Sequence, residues 1–186
     1  MRALSQESGT LLFDGAHTPD SFAWLKRRWP LQKAYPLLGD TDYDAIADTG
    51  PILLEAPEGG DIHTAWRQGI DFPDAIWLQT STGADELWRH LQRRLRVISP
   101  DGRELWLRLG DALPLRHAWQ AGAAWPDGFW HRIFRVWALH EHHPVCLWHN
   151  PTPAQDAAPK DEGLSAQITL DWPLLRALGA NPVHPE

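Results

Sequence analysis

The sequence predicts an α/β chain of the α+β kind: a mixed β-sheet flanked by helices, with a smaller C-terminal lobe rich in Trp and Arg. Three observations lead there. Apolar runs of strand length alternate with amphipathic segments over the first two thirds of the chain. Two further runs flank Ser99-Pro100-Asp101-Gly102, a turn sequence. A length of 186 residues with 43% hydrophobic content fits one compact domain with a trailing lobe.

Taken in order, Thr10-Leu11-Leu12-Phe13 before Asp14-Gly15 reads as a strand closed by a turn. Thr18 then caps a helix with Pro19 at its first position, and Phe22, Leu25 and Trp29 recur at helical spacing until Pro30 ends it. Asp44 to Asp48 adds a short helical turn. Gly50-Pro51 breaks the chain before the strand Ile52-Leu53-Leu54, which gives this pair a structural role. Asp61 caps a helix through Gln68, and Ala75 to Leu78 is a buried strand, completing a strand-helix-strand unit. Thr82, with Asp85 three residues later, caps the best amphipathic helix, whose apolar stripe is Leu87, Leu91 and Leu95. Arg89, Arg93, Arg94 and Arg96 lie mostly off that stripe and read as a charged, solvated face.

Residues 95–98 and 104–109 form a hairpin, with Pro100 at the turn entry and Asp101-Gly102 as structural residues, the glycine supplying positive φ. Asp111 caps the next helix, through Ala121, and Arg108 is placed to pair with it across the strand-to-helix joint. Phe134 to Leu139 and Val145 to Trp148 are strands joined by a His-rich turn. Residues 150–163, with Pro151, Pro153 and Pro159 and little apolar area, read as a linker unable to order itself. Trp172 to Leu178, capped by Asp171, is a short closing helix. The division is a core at 10–121, a variable lobe at 122–149, a linker at 150–163, and a C-terminal helix and tail at 164–186.

The formal net charge of −7 repels phosphate backbones and anionic membrane surfaces, so neither nucleic acid nor membrane is an expected partner. No apolar stretch approaches the roughly 18 residues of a spanning helix, and Met1 to Gly15 has neither a basic start nor an apolar core; a soluble, cytoplasmic protein is expected. The single cysteine, Cys146, excludes an internal disulfide and a cysteine-based zinc cage, and it reads as a buried small hydrophobe. Twelve tryptophans stand against two tyrosines, and 14 arginines against three lysines. Indole and guanidinium dominate interface hot spots, while core filling and genomic base composition explain the same numbers equally well.

The densest catalytic-looking set is His140-Glu141-His142-His143. A metal-dependent hydrolase using it lacks the helical His-x-x-x-His spacing of a zincin, and a third ligand must come from elsewhere. No serine has a nucleophile-elbow setting, Gly59-Gly60 lacks the rest of a phosphate loop, and Cys146 sits mid-strand between Val145 and Leu147. No catalytic residue, metal or cofactor is assigned. The set Trp119, Trp125, Phe129, Trp130, Phe134, Trp137 and Trp148, mixed with Arg132 and Arg135, is denser than a loop and two strands need, which suggests an exposed groove for an apolar peptide or helix. Trp125, Trp130, Arg132, Arg135 and Trp137 are the candidate partner-binding residues, with Trp125 and Trp130 expected at the surface around Pro126-Asp127-Gly128. A Trp-rich carbohydrate-binding module is a further alternative.

Several motifs in register resemble the Tap/TEC-type adaptor domain of bacterial type VI secretion: Leu11-Leu12-Phe13-Asp14-Gly15-Ala16, Gly50-Pro51-Ile52-Leu53-Leu54-Glu55, Ser81 followed by Glu86-Leu87 and His90-Leu91, Leu95-Arg96-Val97 with Pro100-Asp101-Gly102, and Leu107-Arg108 with Asp111. The resemblance covers about residues 10 to 121, and Ile168-Thr169-Leu170 with the helix after it is similar to that family's closing helix. It implies a non-enzymatic chaperone that binds a secreted toxic effector and helps load it onto the VgrG spike. The sequence departs from the pattern at Leu109-Gly110-Asp111-Ala112, which stands where the family has an aromatic pair and Asp-Pro.

Overall fold

The structure, a computed structural model, describes residues 8–179; the first seven residues of the segment read for a leader, and the tail at 180–186, lie outside it. Its elements in chain order are β1 (Gly9–Asp14), α1 (Ser21–Arg28), β2 (Ala34–Pro36), β3 (Pro51–Glu55), α2 (Asp61–Arg67), β4 (Ile76–Thr80), α3 (Ala84–Gln92), β5 (Arg96–Ile98), β6 (Glu104–Trp106), α4 (Ala112–Gln120), β7 (Ile133–His140), β8 (His143–His149) and α5 (Trp172–Leu178). Six strands make one sheet in the order β2-β3-β1-β4-β7-β8, and β5 with β6 makes a separate hairpin. The α+β class is as the sequence predicts, and every pairing in the large sheet is antiparallel. Strands β7 and β8, assigned from sequence to a separate lobe, complete the same sheet as β1, β3 and β4.

Period-2 alternation divides the apolar residues between two faces. Leu12, Leu53, Ile76, Leu78 and Val136 pack with α3, α4 and α5, while Leu11, Phe13, Ile52, Leu54 and Trp77 pack with Leu25 of α1 and Ile62 and Trp66 of α2. The near-continuous apolar runs of β1, β3 and β4 follow from this, since a strand covered on both faces has no polar side.

The caps follow the sequence at two helices and depart from it at three. Asp111 accepts from the Leu113 amide at 3.0 Å and Asp171 from the Leu174 amide at 2.9 Å. At α1 the helix starts at Ser21, because Asp20 adopts the left-handed region (φ 51°) and breaks the turn begun at Thr18. Gly60, not Asp61, precedes α2, and the Asp61 carboxylate instead lies in the first turn, where it favours the helix dipole. Gly83 precedes α3, since the Thr82 amide is turned back to donate to Thr80 Oγ1 at 3.0 Å.

Gly50-Pro51 joins two strands. The Gly50 carbonyl accepts from the Gly15 amide at 2.8 Å, and the Pro51 carbonyl accepts from the Leu37 amide at 2.8 Å. In the β5–β6 hairpin, Gly102 has φ 85° and its amide donates to the Ser99 carbonyl at 2.8 Å. Asp101 receives hydrogen bonds from Ser99 Oγ and Arg103 Nε.

Residues 150–163 are not a linker. They form a strap held by polar side chains from distant elements, which supplies what apolar area does not. Asn150 Nδ2 donates to the Trp130 and Ile133 carbonyls, both at 2.8 Å, and the Ala157 amide donates to the Gly128 carbonyl at 3.1 Å. The approach is close enough that a Cβ on Gly128, whose φ is 80°, would fall 2.7 Å from the Ala157 nitrogen.

Arg93 and Arg94, read from sequence as part of a solvated face, are the strap's anchors. Arg94 is 1% exposed; it donates to the carbonyls of Phe129, His90 (2.8 Å) and Gly128 (3.0 Å) and to Asp156 Oδ1 at 2.6 Å. Arg93 donates to the Ala158 carbonyl at 3.3 Å and to Asp161 at 3.4 Å. Burial alone pushes the Asp156 carboxyl up, but hydrogen bonds from Arg94 and the Ala158 amide outweigh it and hold it below its ordinary value. Arg94→Met removes the charge that neutralises the half-buried Asp156 and the donor to the His90 and Phe129 carbonyls, so a loss of about 3–5 kcal/mol is expected in urea unfolding, with faster amide exchange at Ala157 and Ala158.

On the other face, His63 is buried between Trp66 and Trp77, and its Nδ1 accepts from the Gly59 amide at 3.0 Å. Burial, then the neighbouring Arg67, lower its pKa against a smaller opposing pull from Glu58. The unfolded chain therefore binds the proton more readily. The contribution is intact above pH 6.5 and is lost as pH falls through the lowered folded value. His63→Gln, which keeps an acceptor but does not titrate, is expected to flatten the dependence of Tm on pH below 6.5, leaving the slope of the same sign that His90 contributes.

Candidate protein-binding surface

The five partner-binding residues proposed from sequence do not form one surface. Trp125 is 8% exposed and Trp130 is 1% exposed, and both belong to the core; this corrects the surface placement. With Phe129 they form an aromatic triad, ring centroids 4.6 to 5.1 Å apart. The loop around Pro126-Asp127-Gly128 lacks a local cover, but Ala158 of the strap and Leu174 of α5 pack into the same cluster. Trp137 is half-buried in the apolar cluster on the opposite face of the sheet, paired in register with Trp77. Arg135 is half-buried and donates to Gln79 Oε1 at 3.2 Å. Arg132 alone is exposed, at φ 64°, with its amide donating to the Pro153 carbonyl and its own carbonyl accepting from Thr80 Oγ1.

The exposed union of aromatic rings and arginines lies instead on the β5–β6 hairpin. Strand alternation turns Leu105 inward and Trp106 outward, and Trp106 is 48% exposed. Tyr43, from the turn before β3, meets it edge-on with centroids 5.2 Å apart. Arg96, the cross-strand partner of Trp106, holds its guanidinium carbon 5.4 Å from the indole centroid and pairs with Glu104. Farther along the hairpin Arg103 lies 5.9 Å from the exposed Trp172 ring. Beside Trp106 opens a groove of about 310 Å³ whose apolar lining includes Leu105, Leu107, Pro114, Leu175 and Leu178.

At the rim of this groove Arg108 fixes the strand-to-helix joint. Its Nη2 lies 3.1 Å from each of Asp14 Oδ2, Asp111 Oδ2 and His17 Nε2. These three side chains converge like metal ligands, but the guanidinium already supplies the positive charge between them. Arg108 thus ties α4 to the end of β1, which steadies the groove wall at Pro114.

The His140–His143 run occupies the two-residue turn between β7 and β8, where Glu141 and His142 take φ values of 48° and 65°. Glu141, His142 and His143 are exposed, and His140 packs edge-on against Trp119 at 5.4 Å. Among the described residues, the donor sets that converge are Asp14/His17/Asp111 and His90/His131/Asp156, and this run enters neither. Cys146 is half-buried, its Sγ donates to the Trp148 carbonyl, and burial pushes the thiol up, away from the thiolate a nucleophile needs.

Burial separates the two kinds of tryptophan experimentally. Trp130→Ala is expected to cost about 3–5 kcal/mol of stability through the cavity it leaves, whereas Trp106→Ala should change the unfolding free energy by less than about 1 kcal/mol. Chemical denaturation of the two variants beside the parent checks this.

No curated protein and no solved structure matches the chain. Residues 11–125 match the DUF4123 family, whose description is a domain of unknown function. The match runs from β1 through α4 to Trp125, taking in the Gly50-Pro51 junction, the β5–β6 hairpin and the Arg108–Asp111 joint. It spans more than half of the sequence, and the chain therefore belongs to the DUF4123 family.

Proposed function

We propose that this protein is a Tap/TEC-type adaptor of bacterial type VI secretion, a non-catalytic chaperone that binds a cognate toxic effector in the cytoplasm and helps load it onto the VgrG spike. Two lines support this reading. The family match at 11–125 covers nearly the same span as the motifs that resemble the adaptor domain. The observation that carries it is the exposed Trp106–Tyr43–Arg96 cluster beside an apolar groove, a composition suited to a protein partner.

In this mechanism the groove takes an apolar segment of the effector. Trp106 supplies contact area, while Arg96, Arg103 and Glu104 form a hydrated rim whose contacts exchange readily when the effector is passed on. Arg108 at the rim, paired with Asp14 and Asp111, holds the groove wall at Pro114 in place. The described residues contain no helix long and apolar enough to cross a membrane.

Affinity purification of the tagged protein from its native host at low salt, with mass spectrometry of co-eluting chains, tests the reading. A VgrG-like spike protein or one large toxin-like polypeptide is expected. Its recovery should fall about 30-fold in Trp106→Ala/Arg96→Ala, as for loss of a hot spot of about 2 kcal/mol. Recovery of neither partner while the secretion genes are expressed overturns the adaptor reading; undiminished recovery with the double variant moves the binding surface elsewhere.

A further inference from the structure

Where the strap crosses α3, three side chains converge that the proposed adaptor function does not use. His90 lies in the last turn of α3, His131 follows the aromatic triad, and Asp156 lies in the strap. One donor atom from each lies within 4.8 Å of the others. The two imidazoles meet edge to face with centroids 4.5 Å apart.

His131 and Asp156 are each oriented by a second partner, and all three groups keep a ligand atom in reserve. His131 Nδ1 lies 2.9 Å from the Gln155 carbonyl, which places a proton on Nδ1, so that Nε2, 3.8 Å from Asp156 Oδ2, is the ligand atom of the neutral ring. The other carboxylate oxygen, Oδ1, is already taken by Arg94 and the Ala158 amide, so the guanidinium does not occupy the gap. Both ring nitrogens of His90 are buried without a hydrogen-bond partner, and Nε2 lies 3.5 Å from Glu86 Oε1. Ligands around a tetrahedral ion with metal–ligand bonds of about 2.0–2.1 Å sit about 3.4 Å apart, a spacing that the 3.8 Å between His131 Nε2 and Asp156 Oδ2 approaches. Side-chain exposure of 13% at His90, 9% at His131 and 18% at Asp156 gives a site shielded from bulk water with an entry at its edge.

We propose that His90, His131 and Asp156 bind one divalent cation of the borderline class typified by Zn²⁺, and that the ion clamps the strap at 150–163 to α3. Two imidazoles with one carboxylate suit zinc, copper or nickel over magnesium or calcium, which prefer all-oxygen sites. The hydrogen bonds from His131 Nδ1 and to Asp156 Oδ1 are the outer contacts that orient metal ligands. Neutral imidazole is the coordinating form, and burial, followed by the neighbouring His131, keeps His90 below its ordinary value.

The test uses the full chain with any affinity tag removed, stripped with chelator, equilibrated with Zn²⁺, desalted and measured by elemental analysis, with titration calorimetry for affinity. The parent is expected to retain about one equivalent and to gain thermal stability with added Zn²⁺. His90→Gln, which breaks no hydrogen bond, should bind at least about tenfold more weakly, His131→Gln likewise, and His140→Gln/His142→Gln/His143→Gln should bind as the parent does. Circular dichroism of His90→Gln confirms that it is folded. Retention below about a tenth of an equivalent by the parent, parent-like affinity in folded His90→Gln, or loss of binding only in the triple variant overturns the proposal.

Discussion

The structure turns on the burial of one guanidinium. Arg94 sits at the end of α3 with 1% of its surface exposed, and such a charge is tolerable only where its N–H groups find acceptors. It finds them on three segments: the carbonyl of His90 in α3 just before it, those of Gly128 and Phe129 in the aromatic loop, and Asp156 in the strap. Satisfying one side chain thus fixes the loop that carries the triad and the stretch that closes over it. Burial pulls Arg94 itself below its ordinary value and Asp156 pulls it back, so the arginine bears the cost of desolvation and the carboxylate offsets it.

That closure determines what the surface presents. With Trp125, Phe129 and Trp130 sealed inside, Trp106 and Tyr43 present a contiguous aromatic pair on the side where the small hairpin stands apart from the main sheet. Arg108 binds the neighbouring joint to the end of β1 through Asp14. The apolar groove accordingly lies between elements tied to the core by charged contacts, which favours a preformed shape over one assembled on binding.

The sequence was most legible where conformation is set by near neighbours. Pro100 and Gly102 mark the hairpin turn, and Asp111 and Asp171 mark caps, because a turn or a cap is satisfied within a few residues. It was least legible where the partner is remote. Nothing near Arg94 in sequence signals that it meets Asp156, 62 residues away, and an arginine off an apolar stripe looks the same whether its acceptor is water or a distant carbonyl. Trp125 and Trp130 were misplaced for the same reason, since proline and glycine in a loop report its turns and not what lies above it. The strap was misread because its order comes from hydrogen bonds to Asn150, Asp156 and the two arginines, contacts that apolar composition does not count. Trp106 did carry a signal: the alternation of Glu104-Leu105-Trp106-Leu107 turns it away from the two leucines.

The distance along the chain between Arg94 and Asp156 also has a consequence in time. A ribosome adding about 5–20 residues per second takes about 3–12 s to cover those 62 positions. Through that interval α3 and the first four strands of the sheet are already made, while the carboxylate that neutralises the arginine is not, and the tryptophan loop has no cover. Nascent chains of this protein therefore pass through a stage with a basic site and an apolar surface open together. Synthesis of the strap and α5 closes both, so making residues 150–178 acts as the step that commits the chain to its folded form.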